Sequence, residues 1–196
     1  MSGLHASGDR VVLLTEDGVA NGSADKERVH GERTPLHLAF SCHLSNRAGE
    51  LLVTRRALGK RSWPGVWTNS FCGHPAPGEL ITDAIGRHAA RELGLRIDPV
   101  ENELVLELPD FRYRAVDASG IVENEICPVY RAVTDDAPRP NPAEVVETAW
   151  VRPEDLARSV ALTPWAFSPW LVLQLKELAV LEQISVQKNL DVEVAT

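Results

Sequence analysis

Phe71-Cys72-Gly73-His74 leads, thirteen residues later, into the run Arg87-His88-Ala89-Ala90-Arg91-Glu92-Leu93-Gly94-Leu95. Glu79 stands between the two segments, six residues after Gly73 and eight before Arg87. Through the second half of this stretch, apolar side chains recur at helical spacing, at Ile81, Ala84, Ile85, Ala89 and Leu93. Gly94 follows them at a position where helices commonly end. The stretch therefore predicts an extended segment, a loop and a helix that ends at Gly94.

From Gly73 onward this spacing resembles the Nudix box of metal-dependent pyrophosphatases. The residues in their usual places are Gly73, Glu79, Arg87, Glu92, Gly94 and Leu95. Two of the usual glutamates are missing, because His88 follows the arginine and Arg91 precedes Glu92. Hydrolysis in such a site depends on carboxylates that hold metal ions near the attacking water. We therefore expect a retained fold with a changed chemistry.

Length and composition indicate a soluble, globular chain. At 196 residues, with 44% hydrophobic and 24% charged residues, it is expected to form a single domain. The net charge of -8 disfavours nucleic acid as a partner, yet it leaves room for a small anion in a local basic pocket. Three cysteines do not form a disulfide framework, which favours reduced thiols and a cytoplasmic location. No apolar run is long enough to span a membrane, so we expect no membrane partner.

The order of strand-like and helix-like segments favours an α/β or α+β fold with a mixed β-sheet. Alternation and β-branched residues predict strands at 11–14, 36–44, 51–54, 101–108, 111–115, 123–133 and 147–151. Beyond the box helix, Pro153 begins a predicted short helix to about residue 158, and Ser168-Pro169 begin a last helix to about residue 184. We expect residues 1–25 to form a strand and a flexible segment packed on the domain, 26–184 to form the domain, and 185–196 to be a disordered tail.

Two pairs of chemically active residues share a face of an extended segment. Cys72 and His74 are two residues apart, as are Glu123 and Glu125, so in a strand each pair projects to one side. His30 and His37 flank Pro35, which excludes one continuous helix. If they converge, three imidazoles and two carboxylates suit an octahedral Mn²⁺ or Mg²⁺, and the ligand types are compatible with Zn²⁺. Taken singly, each residue is more commonly a solvated side chain without a role.

Arg55, Arg56, Lys60 and Arg61 form the densest basic cluster of this acidic chain. The cluster is either a solvated loop or, with Lys26, a clamp for a diphosphate group, whose oxygens match guanidinium and ammonium donors. The aromatic run from Trp165 to Trp170 is expected to place Trp165 or Phe167 in the core. One indole of this run that faces a pocket could instead stabilise a cation through its π face.

The chain resembles the type 1 isopentenyl-diphosphate Δ-isomerases, which have the Nudix fold, from about residue 26 to residue 174. The matching strings are Leu36-His37-Leu38-Ala39-Phe40, Leu51-Leu52-Val53-Thr54-Arg55-Arg56-Ala57, Trp63-Pro64-Gly65-Val66-Trp67-Thr68-Asn69, Cys72-Gly73-His74-Pro75, Phe111-Arg112-Tyr113, Glu123-Asn124-Glu125 and Thr163-Pro164-Trp165-Ala166-Phe167-Ser168-Pro169-Trp170. Seven strings in family order are far more specific than a degenerate box alone. The resemblance implies a Nudix-like α/β/α sandwich in a single domain.

The same resemblance implies a role for each matching residue. Cys72 and Glu125 would transfer protons, and Tyr113 would assist the glutamate. One divalent metal would be bound by His30, His37, His74, Glu123 and Glu125. Glu92 would hold a Mg²⁺ that enters with the substrate. The substrate-binding residues would be Lys26, Arg56, Lys60 and Trp170.

The chain departs from the family at one position. Family members commonly have paired arginines in the box helix, with the second reaching the diphosphate, whereas this chain has Arg87-His88. Arg87 or Arg91 would then take the missing contact, or the clamp is weaker; we expect Arg87 among the substrate-binding residues.

The implied function is the interconversion of isopentenyl and dimethylallyl diphosphates through a carbocation. The alternative is a Nudix hydrolase of a nucleoside diphosphate derivative, which the missing carboxylates disfavour. A metal- or ligand-binding domain without catalysis is disfavoured by Cys72, Tyr113, Glu125 and Trp170 occurring together. We expect a prenyl diphosphate as the small-molecule partner and a monomer or weak homodimer as the assembly.

Overall fold

The computed structural model describes residues 10–179, and its strands form two β-sheets. Their strands are β1 (Arg10–Leu14), β2 (Ala20–Asp25), β3 (His37–Leu38), β4 (Phe40–Ser45), β5 (Leu51–Arg56), β6 (Trp67–Thr68), β7 (Phe71–Gly73), β8 (Val105–Leu108), β9 (Arg112–Val116), β10 (Val122–Ile126), β11 (Val129–Val133) and β12 (Val145–Val151). The helices are α1 (Lys26–Val29), α2 (Ile81–Leu93), α3 (Pro153–Leu162) and α4, which begins at residue 169 and is described to residue 179.

The five-stranded sheet has the order β2-β1-β3-β10-β9, and the seven-stranded sheet has the order β12-β5-β4-β11-β8, with β6 beside β5 and β7 beside β4. Strands β3 and β10 are parallel, as are β4 and β11, whereas the other pairs are antiparallel. The predicted α+β class, with mixed sheets in a single domain, is confirmed. No helix among residues 10–179 is long and apolar enough to cross a membrane.

The main core forms where helix α2 packs against the seven-stranded sheet. Phe40 of β4 and Phe71 of β7 are both fully covered there, and their rings meet edge to face at 6.1 Å. From the helix side they meet the apolar stripe that includes Ile85 and Leu93. Gly94 ends the helix in the left-handed conformation (φ 63°), which glycine adopts without steric cost. This packing fixes the helix of the box directly behind strand β7.

Two predicted strands are each divided between the two sheets, which corrects the sequence expectation. The segment 123–133 breaks at Cys127-Pro128 into β10 and β11, because proline has no N–H to contribute to a ladder. The segment 36–44 breaks at Ala39 into β3 and β4. The two breaks lie side by side, since Ala39 N–H donates to Ile126 O (2.9 Å) and Ser41 N–H donates to Pro128 O (3.1 Å). The two parallel strands therefore cross from one sheet to the other together.

Other predicted boundaries also shift. Strand β8 starts at Val105 rather than at 101, because residues before it form turns in which the Asp98 carboxylate accepts the N–H groups of Val100 and Glu101. Helix α3 continues to Leu162, one turn past the predicted end. Strand β2 and helix α1 arise in the segment 20–35, where no element was predicted, and Asp25 caps α1 by accepting the N–H of Glu27 at 2.9 Å.

The last helix begins as predicted, because Ser168 Oγ accepts the N–H of Leu171 (3.4 Å) ahead of Pro169. Its predicted end near residue 184 and the predicted tail at 185–196 lie outside the described residues. Within the aromatic run, Phe167 packs half-buried against the cluster around Val53. Trp165 is 81% exposed, so the core position expected for one of the two belongs to Phe167.

Candidate functional site

A cavity of about 570 Å³ opens beside the place where the two parallel strands cross between the sheets. Its wall collects residues that lie far apart in the sequence, from helix α1, the loop after β5, strand β7, helix α2, strands β9 and β10, and helix α4. The predicted site residues that line it are Lys26, His30, Arg56, Lys60, Cys72, His74, Glu92, Tyr113, Glu123, Glu125 and Trp170. Two predicted residues, His37 and Arg87, do not line it.

His37 nevertheless belongs to the cluster at the base of the cavity. One ligand atom each from His30, His37, His74 and Glu125 lies within 4.8 Å of the others. Strand pairing explains the convergence: His37 on β3 stands beside Glu125 on β10, and Tyr113 on β9 flanks the same glutamate from the other side. Two residues earlier on β10, Glu123 shares the face of Glu125. Its Oε2 lies 2.9 Å from His30 Nε2.

The donor atoms of this cluster fit a divalent metal ion. His37 Nδ1 lies 2.9 Å from Pro35 O, and because a carbonyl only accepts, Nδ1 carries the proton and Nε2 is left with a lone pair. His30 Nε2, His37 Nε2 and Glu123 Oε2 are buried and form no well-aligned hydrogen bond within the described chain, although carboxylate oxygens lie near both imidazoles. The ligand atoms of His30, His37, His74 and Glu125 lie within 4.8 Å of one another, as expected of metal ligands, and Glu123 stands beside this group against His30. The set of imidazoles and carboxylates suits Mn²⁺ or Mg²⁺ and is compatible with Zn²⁺.

Burial and mutual contact set the charges of the cluster. Burial lowers the pKa of His74 to about 3, so its imidazole is neutral and able to bind a metal. Burial raises the pKa of the Glu125 carboxyl, but the adjoining imidazoles of His37 (3.4 Å) and His74 (3.1 Å) outweigh it and hold that pKa well below the usual range. In His37 the effect of burial is likewise outweighed by the nearby Glu125 carboxylate, and the pKa rises. Glu125 is therefore an ionised carboxylate in a buried site.

Cys72 and Tyr113 stand on the two flanks of the cavity. Tyr113 Oη donates to Glu125 Oε2 at 2.9 Å, and burial raises the pKa of this phenol well above its ordinary value. The Cys72 sulfur lies 3.2 Å from Ser41 Oγ and 3.2 Å from Asn69 Oδ1. Burial raises the pKa of the Cys72 thiol to about 12. A protonated thiol and an ionised carboxylate thus face one cavity.

An aromatic wall closes the cavity near the thiol. Trp170 is 3% exposed, and its ring centroid lies 5.8 Å from that of Tyr113 and 5.6 Å from that of Trp63. The Arg56 guanidinium lies 5.2 Å from the Trp170 ring centroid and donates to the carbonyls of Trp63 (3.1 Å) and Ser62 (2.8 Å). An indole held in this way could meet a developing cation through its π face.

At the opposite end the cavity is lined by cations around one carboxylate. Glu144 accepts from Arg91 Nη2 at 3.0 Å and forms a close ion pair with Lys60. Burial raises the pKa of the Glu144 carboxyl, but the hydrogen bond from Lys60 outweighs it and the pKa falls. Burial lowers the pKa of the nearby Lys26 ammonium. Glu144 was not singled out from the sequence, because no local pattern distinguishes it from other surface glutamates.

Arg87 and His88, which are adjacent on helix α2, have different surroundings. Arg87 donates to both oxygens of Glu79 (2.7 and 2.6 Å) and to His74 O (3.1 Å), so it supports the loop and does not line the cavity. This placement disagrees with its predicted contact to the substrate. His88 is 2% exposed, with Nδ1 2.7 Å from Glu92 Oε1. Its ring lies so close to Gly73 that a Cβ there would come within 2.5 Å, which explains the glycine.

Comparison with known proteins places the chain in a family. The NUDIX domain family matches residues 35–171. A protein of Leifsonia xyli subsp. xyli named isopentenyl-diphosphate Delta-isomerase is 62% identical over 170 residues, which cover 87% of this chain and 91% of the relative. A protein of the same name from Kocuria rhizophila is 56% identical over 90% of this chain and 96% of its own.

Solved structures share the fold at low identity. The crystal structure of DR0079 from Deinococcus radiodurans has a TM-score of 0.67 at 22% identity, covering 86% of this chain and 98% of that one. The MutT protein of Methanosarcina mazei has a TM-score of 0.58 at 16% identity, covering 76% and 96%. The similarity to these structures concerns the fold alone. The relatives in sequence identify the enzyme family to which the chain belongs within the larger NUDIX domain family. The chain belongs to the NUDIX domain family and, within it, to the isopentenyl-diphosphate Delta-isomerases, a family of enzymes.

Proposed function

We propose that this enzyme interconverts isopentenyl diphosphate and dimethylallyl diphosphate by protonation and deprotonation of the alkene. The observation that carries the proposal is that Cys72 and Glu125, which stand on strands of different sheets, both line one cavity. The proposal takes its substrate from the names of relatives that are 53–62% identical to this chain.

In the proposed reaction one of the two groups adds a proton to the terminal alkene carbon, forming a C–H bond and leaving a tertiary carbocation. The other group removes a proton from the neighbouring CH₂, and the electron pair of that C–H bond becomes the new double bond. In the reverse direction the two groups exchange roles. An unactivated alkene is a weak base, so the acid must be held close and water must be kept from the cation. Tyr113 supports Glu125 through its 2.9 Å hydrogen bond.

The carbocation would be formed beside Trp170. A cation over a desolvated indole is stabilised by about 2 kcal/mol. The Trp170 ring is held by its Nε1–H, which donates to Asn69 Oδ1 at 3.1 Å, and by contacts with Tyr113 and Trp63. A ring that is fixed before the cation forms needs no reorganisation during the reaction.

Metal ions would bind at two separate sites in the cavity. His30, His37, His74, Glu123 and Glu125 would bind one divalent ion, Mn²⁺ or Mg²⁺ with Zn²⁺ as a further option, and Glu92 would bind a Mg²⁺ that arrives with the diphosphate. When bound, these ions supply positive charge that fixes the Glu125 carboxylate and offsets the charge of the diphosphate. His88 orients Glu92 through the 2.7 Å contact with Oε1.

The diphosphate would be bound by Lys26 and Lys60 at the cation end, and by Arg56, which lies beside Trp170 on the same cavity. For the contact that family members commonly make with a second arginine, we propose Arg91 rather than Arg87. Arg91 lines the cavity and its side chain is 51% exposed, which leaves it free to turn toward an anion. Arg87 is held by Glu79 outside the cavity. This assignment revises the predicted role of Arg87.

The hydrolase alternative is disfavoured by the same positions. His88 and Arg91 stand where the box of a hydrolase has carboxylates. His88 packs against Gly73, and Arg91 forms an ion pair with Glu144. We also propose that the isomerase domain, predicted over residues 26–184, includes the described residues 26–179, with residues 10–25 packed on it; the remainder of the two predicted segments lies outside the described residues. We propose further that the enzyme acts in the cytoplasm as a monomer or weak homodimer. Three free thiols are consistent with a reducing compartment.

The decisive experiment is incubation of the purified protein with isopentenyl diphosphate and Mg²⁺ in deuterated water. We expect dimethylallyl diphosphate that carries solvent deuterium, with no release of phosphate. Absence of deuterium from both the product and the recovered substrate would disprove the proposed chemistry.

Two variants extend this experiment. Cys72→Ser and Glu125→Gln should each lower turnover by roughly 10²- to 10⁴-fold, because a positioned proton-transfer group contributes that much. Circular dichroism would show whether the fold is retained. A variant with full activity would remove its residue from the mechanism.

A further inference from the structure

Two residues that do not line the cavity hold the sulfur of Cys72 from the protein interior. Ser41 Oγ and Asn69 Oδ1 each lie 3.2 Å from Cys72 Sγ, and both side chains are almost completely buried. Neither was singled out from the sequence. The thiol therefore has a fixed polar environment on its interior side.

The orientation of the Asn69 amide follows from its partners. Its Nδ2 donates to the carbonyls of Cys42 (3.1 Å) and Phe71 (2.8 Å), and its Oδ1 accepts from Trp170 Nε1 (3.1 Å). Carbonyl oxygens only accept and the indole N–H only donates, so the opposite orientation would lose all three bonds. The Cys72 S–H consequently donates to Asn69 Oδ1.

The direction of the Ser41 bond is set by a residue on the last helix. Gln174 is fully buried, its Oε1 lies 2.9 Å from His43 Nε2, and its Nε2 donates to Ser41 Oγ at 2.8 Å. Because Ser41 Oγ already accepts this bond, its single proton is directed to a sulfur. The Cys72 sulfur, at 3.2 Å, is nearer than that of Cys127, at 3.6 Å.

We propose that Ser41 and Gln174 are positioning residues for the isomerisation, with Gln174 orienting the Ser41 hydroxyl so that it donates to the Cys72 sulfur. The inference rests on the proposed function. Trp170 and Gln174 are four residues apart on helix α4, so one helix face fixes both the indole and the chain of bonds that reaches the thiol. A neutral amide does not relay protons, so the chain orients the thiol and does not supply its proton.

A purely structural role for these bonds makes different predictions. Ser70 offers a matched comparison, since it is also fully buried, accepts from Leu44 N–H (2.7 Å) and donates to Leu52 O (2.7 Å) without lining the cavity. Ser70→Ala should lower the melting temperature and leave kcat within about twofold. If the Ser41 bonds only satisfied buried polar groups, Ser41→Ala would behave in the same way.

The kinetic test compares Ser41→Ala, Ser41→Thr and Gln174→Met with the unchanged enzyme. Misplacing a reacting group costs up to roughly 100-fold in rate, so Ser41→Ala should lower kcat by about 10- to 100-fold with little change in KM. Gln174→Met should lower kcat less, because Ser41 keeps its proton but loses the bond that orients it. Ser41→Thr keeps a hydroxyl and should restore most of kcat. If Ser41→Ala fails to fold, the kcat of Gln174→Met decides whether the bonds to Ser41 position the thiol.

An infrared measurement separates this inference from the proposed function. The S–H stretching band of Cys72, assigned by subtraction of the Cys72→Ala spectrum, reports the hydrogen bonding of the thiol without any turnover. The band should shift in Ser41→Ala and in Gln174→Met and stay in place in Ser70→Ala. If the protein shows these shifts but does not isomerise isopentenyl diphosphate, the proposed function is refuted, whereas the orientation of the Cys72 thiol by Ser41 and Gln174 is supported. An unchanged band together with an unchanged kcat would overturn the positioning.

Discussion

The two ends of the cavity are built in different ways. The metal end is formed by His30, His37, His74, Glu123 and Glu125. Its side chains are at most 13% exposed, and most contact two or more polar groups. At the cation end, formed by Lys26, Lys60 and Arg91, the Glu144 carboxylate holds Lys60 and Arg91 together. The metal end is therefore arranged before a substrate arrives, whereas under the proposed function the cation end would exchange Glu144 for the arriving diphosphate.

The difference corresponds to the two tasks of a proton-transfer enzyme. Proton transfer depends on fixed distances between reacting groups, and burial on rigid strands provides them. Binding of a diphosphate depends on charge, which the Lys60 and Arg91 side chains, 26% and 51% exposed, would supply. Substitutions at the two ends should consequently change different measured quantities.

The largest effect concerns the protonation of Cys72 at the buried side of the cavity. Since its pKa is raised to about 12, the thiolate fraction should grow about tenfold per pH unit, or roughly 1000-fold between pH 7.5 and 10.5. The rate of alkylation of Cys72 by iodoacetamide in metal-free protein, followed by mass spectrometry, measures this. A free cysteine in a short peptide is the control, and its rate should level off near pH 9 to 10. A plateau at the same pH for Cys72 would show that burial does not raise its pKa.

A smaller effect is expected for metal binding. His30→Ala removes one imidazole from the metal end and should weaken Mn²⁺ binding by about 100-fold, measured by calorimetric titration, because even outer groups of metal sites contribute 10- to 100-fold. His43→Asn is the matched control, since His43 is a buried histidine that bonds to Gln174 outside the cluster. Equal affinities for the two variants would remove His30 from the metal site.

The smallest effect is expected at the cation end. Arg91→Ala should raise KM for isopentenyl diphosphate by about tenfold with kcat nearly unchanged, because a charge-assisted hydrogen bond contributes about 1.5 kcal/mol or more. Binding of inorganic pyrophosphate should weaken by a similar factor. Arg96→Ala, which changes an arginine whose side chain is 77% exposed and outside the cavity, should change neither quantity. A kcat loss without a change in KM would contradict the division between the two ends.

The sequence predicts the metal end better than the cation end. Alternation along one strand is enough to place Glu123 with Glu125, and the box spacing is enough to place Glu92 on a helix. The position of Glu144 could not be predicted, because it reaches Lys60 across 84 residues of sequence without any periodic pattern. Gln174 reaches Ser41 across 133 residues, for the same reason.

His88 illustrates what only the structure explains. In the sequence it is a departure from the box; helical spacing places Glu92 beside it, but nothing in the sequence shows that its ring packs against Gly73. In the fold it fills the space left by Gly73 and contacts Glu92. The break at Cys127-Pro128 differs, because Pro128 is a visible signal for it; the apolar residues on its two sides were nevertheless read as one strand, although they belong to two sheets.

The joint crossing of β3–β4 and β10–β11 has a consequence for how this protein could change over time. His37 and Glu125 precede the crossing, and Ser41, which contacts Cys72, follows it at once. Inserting one residue into either strand there would turn every following side chain to the opposite face. Length variation among descendants of this chain should therefore collect in the loops around the cation end, while the ribbon of paired strands keeps its length.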